Sequence, residues 1–589
     1  MGRARAAPGN ELVTGGIGPV EFIRPYRKGT ELNQIEQWKL ERHPFEVAAA
    51  IRDRYAFEGP EAISAVPGEM ERLKWVGLYP QRQGGDAFML RVKVPGGRLS
   101  SAQLRRIGEV VDAFAQAPEP SPIWGERYCD LTTRQDVQLH WVRIGDVPRI
   151  WALLEDVGIT TVQACGDSAR NVLCCPVAGV DGEEVLDAYP IARQISEFFT
   201  GNREYANLPR KFKLSVTGCR EDCAQAEIND VGLWPARLYD GTVGFNLLAG
   251  GGLSDGPRMA SDIDVFVAPE QAVEIARALA QLFGELGNRE NRGTARMRYL
   301  VQELGPEDFR SELSERTAFA LEPAGEELTV HYRGDHVGVH RQRQEGLSYV
   351  GCSVTVGRLS GKDLIEAARL AELYGDGEVR LATDQNFVLT GVADERVEDL
   401  LEEELMQRHS PFPAPFERGV VACTGSEFCR FAIVETKARA VQWARAMDDR
   451  FAGASLSSRH GAGSIVRMHF SGCPASCAQP QIADIGFRGD TAHVGDGIVE
   501  AVDVGLGGSL GTDAAFGDWV EGALPVDRVV GSLGRVMDQF LVERVEDERF
   551  YEWARRTPIA LLRSTIRGAP LQDPPGDPAG SASGKEPVS

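Results

Sequence analysis

Residues 469–477 read His469-Phe470-Ser471-Gly472-Cys473-Pro474-Ala475-Ser476-Cys477, and residues 215–223 read Ser215-Val216-Thr217-Gly218-Cys219-Arg220-Glu221-Asp222-Cys223. The first runs on into Ile482-Ala483-Asp484-Ile485-Gly486 and the second into Ile228-Asn229-Asp230-Val231-Gly232. Three earlier landmarks recur in the same order. LYPQRQ at 78–83 is answered by VHRQRQ at 339–344, GRLS at 97–100 by GRLS at 357–360, and LTTRQDVQL at 131–139 by LATDQNFVL at 381–389. An offset of roughly 250 to 260 residues is far too long for a solenoid, so the chain reads as a duplicated pair of domains.

Each GRLS precedes a stretch of helical periodicity. In the first, Leu104, Ile107, Val111 and Phe114 share a face, and Ser100 with Gln103 has the wording of a capping box. In the second, Leu364, Ala367, Ala368 and Ala371 share a face, with Gly375 as the stop. Each LTTRQ-like stretch is expected to form a strand. In the first, Thr132, Arg134, Asp136, Gln138 and His140 alternate with Val137, Leu139 and Trp141.

The second copy of the duplication carries two cysteine pairs, Cys423-x5-Cys429 and Cys473-x3-Cys477. A helix starting near Gly472 would present Cys473 and Cys477 from its first turn, where free backbone N–H groups suit sulfurs that accept hydrogen bonds. The five-residue gap fits a zinc knuckle poorly, so the spacing favours an iron-sulfur cluster over structural zinc or four unrelated buried thiols. In the first copy Cys165 stands where Cys423 does, but Asn171 replaces Cys429. The expected outcome there is a half that lost its metal; Cys174 or Cys175 as a fourth ligand of a second cluster is the alternative.

Composition narrows the partners. A net charge of -22 argues against nucleic acid and anionic membranes, and 589 residues suggest about three domains. The chain has no apolar signal segment at its start and no run of eighteen apolar residues. With its eleven cysteines it reads as a cytoplasmic protein in a reducing compartment. Cations nevertheless cluster on strand faces. Arg91 and Lys93 oppose Leu90, Val92 and Val94; Lys211 and Lys213 oppose Phe212 and Leu214; Arg170 follows Cys165 by five residues. Any one of them is ordinarily a solvated strand face.

At these residues the chain resembles the ferredoxin-dependent nitrite and sulfite reductases, which are siroheme and iron-sulfur hemoproteins. The motifs that carry the resemblance are FMLR (88–91), LTTRQ (131–135), RNV (170–172), LPRKFK (208–213), HRQRQEGLSYVG (340–351), ACTGSEFC (422–429) and GCPASC (472–477). The resemblance implies an α+β fold of duplicated nitrite/sulfite reductase architecture: ferredoxin-like half-domains plus two related α/β siroheme/cluster domains. The boundaries are an arm at 1–60, half-domains at 61–145 and 326–405, α/β domains at 146–325 and 406–567, and a disordered tail at 568–589, with 312–336 as the connection between copies.

It further implies that Cys423, Cys429, Cys473 and Cys477 hold a [4Fe-4S] cluster, with Cys477 also the axial thiolate to siroheme iron. Arg91, Arg170, Lys211 and Lys213 would surround the substrate anion. Thr132, Arg134, Gln138, His140, Arg210 and Arg343 would contact the siroheme carboxylates, for which guanidinium forks are well suited.

The implied reaction is the six-electron reduction of nitrite to ammonium, as in nitrate assimilation, with reduced ferredoxin as donor to a monomer. Reduction of sulfite by the same site is the alternative, favoured by Lys213, since nitrite enzymes usually have Asn there. A reading from another class is a noncatalytic iron-sulfur carrier or redox sensor. No glycine fingerprint for a dinucleotide is evident, so no bound flavin or nicotinamide is expected. Cys165 and Tyr79 both fall in pocket-forming motifs; Cys165 reads as an ordinary buried thiol, with a thioether to Tyr79 the alternative.

Overall fold

The structure is a computed structural model that describes residues 30–330, 335–454, 456 and 465–568. The expected tail, but for Gly568, and the first half of the arm lie outside these residues. The chain divides into two compact units. One runs up to Pro413 and includes Glu427–Arg430 and Leu510–Asp513; the other comprises Ala414–Ser426, Phe431–Ser509 and the residues from Ala514 onward.

In the first unit the two ferredoxin-like halves trade strands. Leu78–Pro80, Phe88–Val92, Val137–Val142 and Gly125–Leu131 form a sheet whose edge is completed by Arg358–Ser360 from the other half. Reciprocally, Gly338–Arg341, Leu347–Cys352, Phe387–Ala393 and Glu378–Leu381 form a sheet completed by Arg98–Ser100. Helices Ser101–Phe114 and Gly361–Tyr374 pack on each other where two glycines meet: a Cβ on Gly108 would lie 2.6 Å from the Gly361 carbonyl, and the converse holds. Ser100 and Ser360 cap these helices, with Gln103 and Asp363 closing the boxes. Leu104, Ile107, Val111, Leu364, Ala367, Ala368 and Ala371 all enter one core shared by both halves.

The duplication extends to the turns. Gln135 and Gln385 both take positive φ (56° and 70°), so neither LTTRQDVQL nor LATDQNFVL is one strand. Each is a strand end, a tight turn and a new strand. The Thr132 hydroxyl holds the first turn by accepting from the N–H groups of Arg134 (3.2 Å) and Asp136 (3.1 Å). The period-two alternation expected across the stretch therefore holds only from Val137 to Leu139; Trp141 takes φ 60° beside a register shift and is partly exposed, and Val142 occupies the core instead. Likewise Gln81 Oε1 accepts from Trp141 N and Gln342 Oε1 from Gly391 N, each at 2.7 Å, which accounts for the QRQ echo.

Also in this unit, Ala169–Cys174, Phe212–Val216 and Val231–Arg237 run parallel, followed by antiparallel Val243–Ala249 and Ser261–Val267. The LPRKFK strand starts only at Phe212. The expected connection is partly built into this domain: helix Met297–Ser314 reaches into it, and Glu326–Glu327 pairs with Arg237 and Ala236. The described part of the arm is helical from Gln34.

The second unit repeats the pattern. Val420–Ala422, Met468–Ser471 and Ile485–Val494 are parallel, then Gly497–Leu506 and Asp518–Pro525 return antiparallel, covered by Lys437–Arg450 and Val529–Glu543. No helix begins at Gly472. Ser476 and Gln479 have positive φ (57° and 60°), as Asp222 and Gln225 do in the first copy, and this breaks the chain into turns before the short helix Pro480–Ile482.

Candidate active site

In the first unit the strands and turns gather cations into one neighbourhood. Arg91 lies on Phe88–Val92, opposite Gln138 of the adjoining strand. Arg134 leaves the Thr132 turn, donating to Asn229 Oδ1 at 2.9 Å and to the Asn171 carbonyl, while its buried Nε meets no protein acceptor. Asn171 in turn donates to the carbonyls of Val94 (2.6 Å) and Arg134 (3.0 Å). The residue that replaces a cysteine thus fixes the loop carrying an arginine. Arg170 is buried and donates through Nε to the Gly166 carbonyl at 2.8 Å.

Electrostatics record how close these charges stand. Burial, opposed by Asp136 and reinforced by Arg170 and Arg134, pushes Lys93 down to about 8. Burial lowers Arg134 to about 10, with Asp136 opposing and Arg170 and Arg91 adding. Asp136 is raised to about 6 by burial in spite of Arg91 and Arg134. Lys213 falls well below the ordinary lysine value through burial and through Arg134, Lys211 and Arg296. The backbone N–H of Lys213 donates to Asp230 Oδ2 at 2.9 Å, and Arg296 grips the same carboxylate. The Tyr79 hydroxyl meets the Cys165 thiol here and is raised by burial and that thiol, against Arg170 and Arg91.

Arg210 stands on Asp167 at 3.3 Å, beside Arg292 at 2.8 Å and Lys39 at 3.8 Å. Burial alone would raise the Asp167 carboxyl; Lys39, Arg292 and Arg210 instead hold it well below the usual carboxylate range. His140 sits in a different network. It has no exposed surface, its Nε2 is 2.9 Å from Asp130 Oδ2, and its ring stacks on Phe428 at 3.8 Å. Arg343 is half exposed and pairs with Glu184 at 2.7 Å.

Sequence reasoning paired Lys93 with Arg91 but did not carry it to the site, and it passed over Asp136, Arg292 and Arg296. Lys93 and Asp136 were legible as polar residues directly flanking apolar strands, after Val92 and before Val137. Arg292 and Arg296 had no local signal, because only tertiary packing brings them to Asp167 and Asp230.

The eleven cysteines separate by environment. Seven are buried, whereas Cys423, Cys429 and Cys473 are partly exposed and Cys477 is exposed. In the second unit the Cys423 sulfur accepts from the N–H groups of Gly472 (3.2 Å) and Gly425 (3.4 Å), the polarisation a thiolate needs. Gly425 has φ +65° and its Cα packs against Thr436, so a side chain there would be strained and would clash. In the first copy Cys165 lies at Tyr79, not with Cys219 and Cys223, whose sulfurs instead neighbour that of Cys175.

The comparisons with known proteins agree with this arrangement. The nitrite and sulphite reductase 4Fe-4S domain matches residues 165–321 and 414–572, and the nitrite/sulfite reductase ferredoxin-like half domain matches 79–157 and 340–406. The assimilatory ferredoxin-dependent nitrite reductase of Haloferax mediterranei is 41% identical over 542 residues, covering 88% of this chain and 90% of the relative. The chloroplastic ferredoxin–nitrite reductase of Zea mays is 40% identical over 578 residues, covering 92% and 97%. The structure of the NirA protein of Mycobacterium tuberculosis superposes with a TM-score of 0.83 at 33% identity, covering 90% of this chain and 98% of that one. Family domains that span well over half of the sequence, in the duplicated order seen in the fold, establish that the chain belongs to the nitrite and sulphite reductase family.

Proposed function

We propose that the chain reduces nitrite to ammonium, taking six electrons one at a time from reduced ferredoxin. The observation that carries this reading is the cation cluster of Arg91, Lys93, Arg134, Arg170 and Lys213, concentrated in a chain of net charge -22. Such a cluster holds an oxyanion against the overall field.

Proteins of this family carry siroheme and a [4Fe-4S] cluster, and the residues fit both. The four cysteines proposed for the cluster are the ones with solvent exposure, and backbone amides polarise Cys423. The buried, orphan Nε of half-buried Arg134 suits an anionic macrocycle. When bound, siroheme supplies the iron that takes the substrate, and the cluster stores electrons beside it. Cys423, Cys429, Cys473 and Cys477 would hold the cluster in this reading, and Cys477 would also be a ligand for the siroheme.

Arg91, Arg170, Lys211 and Lys213 would hold the anion, and of these four only the two lysines could also supply protons to it. Burial, with Arg134, Lys211 and Arg296 adding, lowers the Lys213 pKa and makes its ammonium a stronger acid than that of an ordinary lysine. Thr132, Arg134, Gln138, Arg210 and Arg343 are assigned to the macrocycle carboxylates. His140, with no accessible surface, is assigned the positioning of Asp130 instead of a contact of its own.

Sulfite is the second reading, favoured by the additional cation at Lys213. Steady-state reduction of nitrite and sulfite side by side, with reduced ferredoxin as donor, tests the choice. Ammonium formation at the higher kcat/KM supports nitrite, and a higher value for sulfide formation overturns it. An absorption spectrum without siroheme bands would reduce the protein to an iron-sulfur carrier. We place the protein in the cytoplasm, where thiols such as these eleven stay reduced; activity recovered outside that fraction would refute the placement. Among the described residues no helix is long and apolar enough to cross a membrane.

A further inference from the structure

We propose that Cys175, Cys219, Cys223 and His336 form a second metal centre, a closed four-coordinate zinc site independent of the iron-sulfur cysteines. The three sulfurs lie within 4.8 Å of one another and all three residues are buried. Cys219 and Cys223 sulfurs are 3.4 Å apart. His336 turns Nε2 onto the same point, 3.0 Å from the Cys223 sulfur and 3.6 Å from that of Cys175. Its other ring nitrogen is 3.5 Å from the Tyr349 hydroxyl, the outer partner that fixes tautomer and ring orientation in a ligating imidazole.

The geometry matches one ion. Bonds of about 2.3 Å to sulfur and 2.0–2.1 Å to nitrogen in a tetrahedron place neighbouring donor atoms about 3.5–3.8 Å apart. The separations of 3.0, 3.4 and 3.6 Å lie near that spacing, whereas His336 falls outside the 4.8 Å grouping of the three sulfurs, so its ring has to close on Cys219 when an ion binds. A cubane is a poor fit, because its ligands bind separate irons and stand wider than one tetrahedral edge. Three buried soft thiols with a half-buried imidazole select zinc in a structural role.

The donors also come from separate parts of the first unit. Cys175 directly follows strand Ala169–Cys174, Cys219 and Cys223 occupy the turn after Phe212–Val216, and His336 precedes Gly338–Arg341. An ion there would tie the α/β sheet to a sheet of the second ferredoxin-like half. The duplication explains the origin of the pair: Cys219 and Cys223 hold the positions of Cys473 and Cys477, but Cys165 and Asn171 no longer complete a cluster.

The test is metal analysis of the purified holoenzyme, read independently of turnover. About one zinc per chain is expected beside the cofactor iron, retained through dialysis against a chelator. Zinc-edge X-ray absorption of the unmodified protein should give three sulfurs at about 2.3 Å and one nitrogen at about 2.0 Å. Cys219→Ser and His336→Ala should each abolish bound zinc while the iron content and visible spectrum stay as in the wild type. The proposal is overturned by a wild-type protein without zinc, by zinc retained in both variants, or by iron that falls with Cys219→Ser, which would mark a second cluster.

Discussion

Arg358, on the strand that the second half lends to the first, holds Asp130 with Nε at 2.7 Å and Nη2 at 3.2 Å, both side chains buried. It also reaches Glu427 at 2.7 Å and lies over the rings of Trp124 and Tyr128, each at 4.6 Å. His140 completes the site from the other side of Asp130. The strand exchange is thereby fastened by charge as well as by backbone pairing.

Replacing Arg358 with Met leaves Asp130 buried without its main counter-charge. The expected cost is about 3–5 kcal/mol, read as a lower midpoint of urea unfolding. Adding Asp130→Asn should restore much of the loss, since the stranded charge is then gone. An Arg358→Met protein as stable as the wild type would show that the pair does not secure the exchange.

Lys211→Met should keep both chromophores while turnover drops roughly 100-fold or more, the scale expected when one donor to a developing charge is removed. Lys213→Asn should shift the ratio of nitrite to sulfite turnover toward nitrite, because one cation fewer disfavours the more highly charged anion. Unchanged turnover in the first variant would take Lys211 out of the mechanism.

Cys477→Ser should lose the siroheme spectrum together with cluster iron, because one sulfur is proposed to serve both groups. Cys129→Ser, a buried thiol on a core strand, should retain both. Iron counts and visible absorption distinguish the two. Retention of a full cluster in Cys477→Ser would contradict the ligand assignment.

His469, on Met468–Ser471, offers a test of pH dependence. Burial, with Arg467 adding, lowers it to about 4, and its Nδ1 is 3.1 Å from the Gln479 carbonyl. Between pH 6.5 and 4 the unfolded chain binds this proton and the folded chain does not. Stability from the neutral ring is therefore present above pH 6.5 and is lost as pH falls to 4, by about 3 kcal/mol in all. His469→Gln should flatten that part of the acid limb in thermal melts; a limb as steep as in the wild type would exclude the assignment.

The duplication and the two capped helices were legible in the chain because each is a local pattern that recurs. Ser100 with Gln103, the repeated GRLS and the paired Gly-Cys motifs depend on neighbours within a few residues. The faces of LTTRQDVQL and the helix at Gly472 were misread for the converse reason. Gln135 and Ser476 adopt positive φ, which nothing in their side chains announces and which hydrogen bonds from the surrounding turn sustain.

Residue order alone determined the twofold repeat and the two capped helices, and its motifs carried the family resemblance that implied the α+β class and the four proposed cluster thiols, since spacing and periodicity are properties of a one-dimensional string. Only the folded chain decided which half owns which edge strand, that His140 faces Asp130, and that Cys175, Cys219, Cys223 and His336 converge. Those relations join residues more than a hundred positions apart in most cases. They are set by which surfaces exclude water and which buried charges find partners, and neither is written in any local stretch.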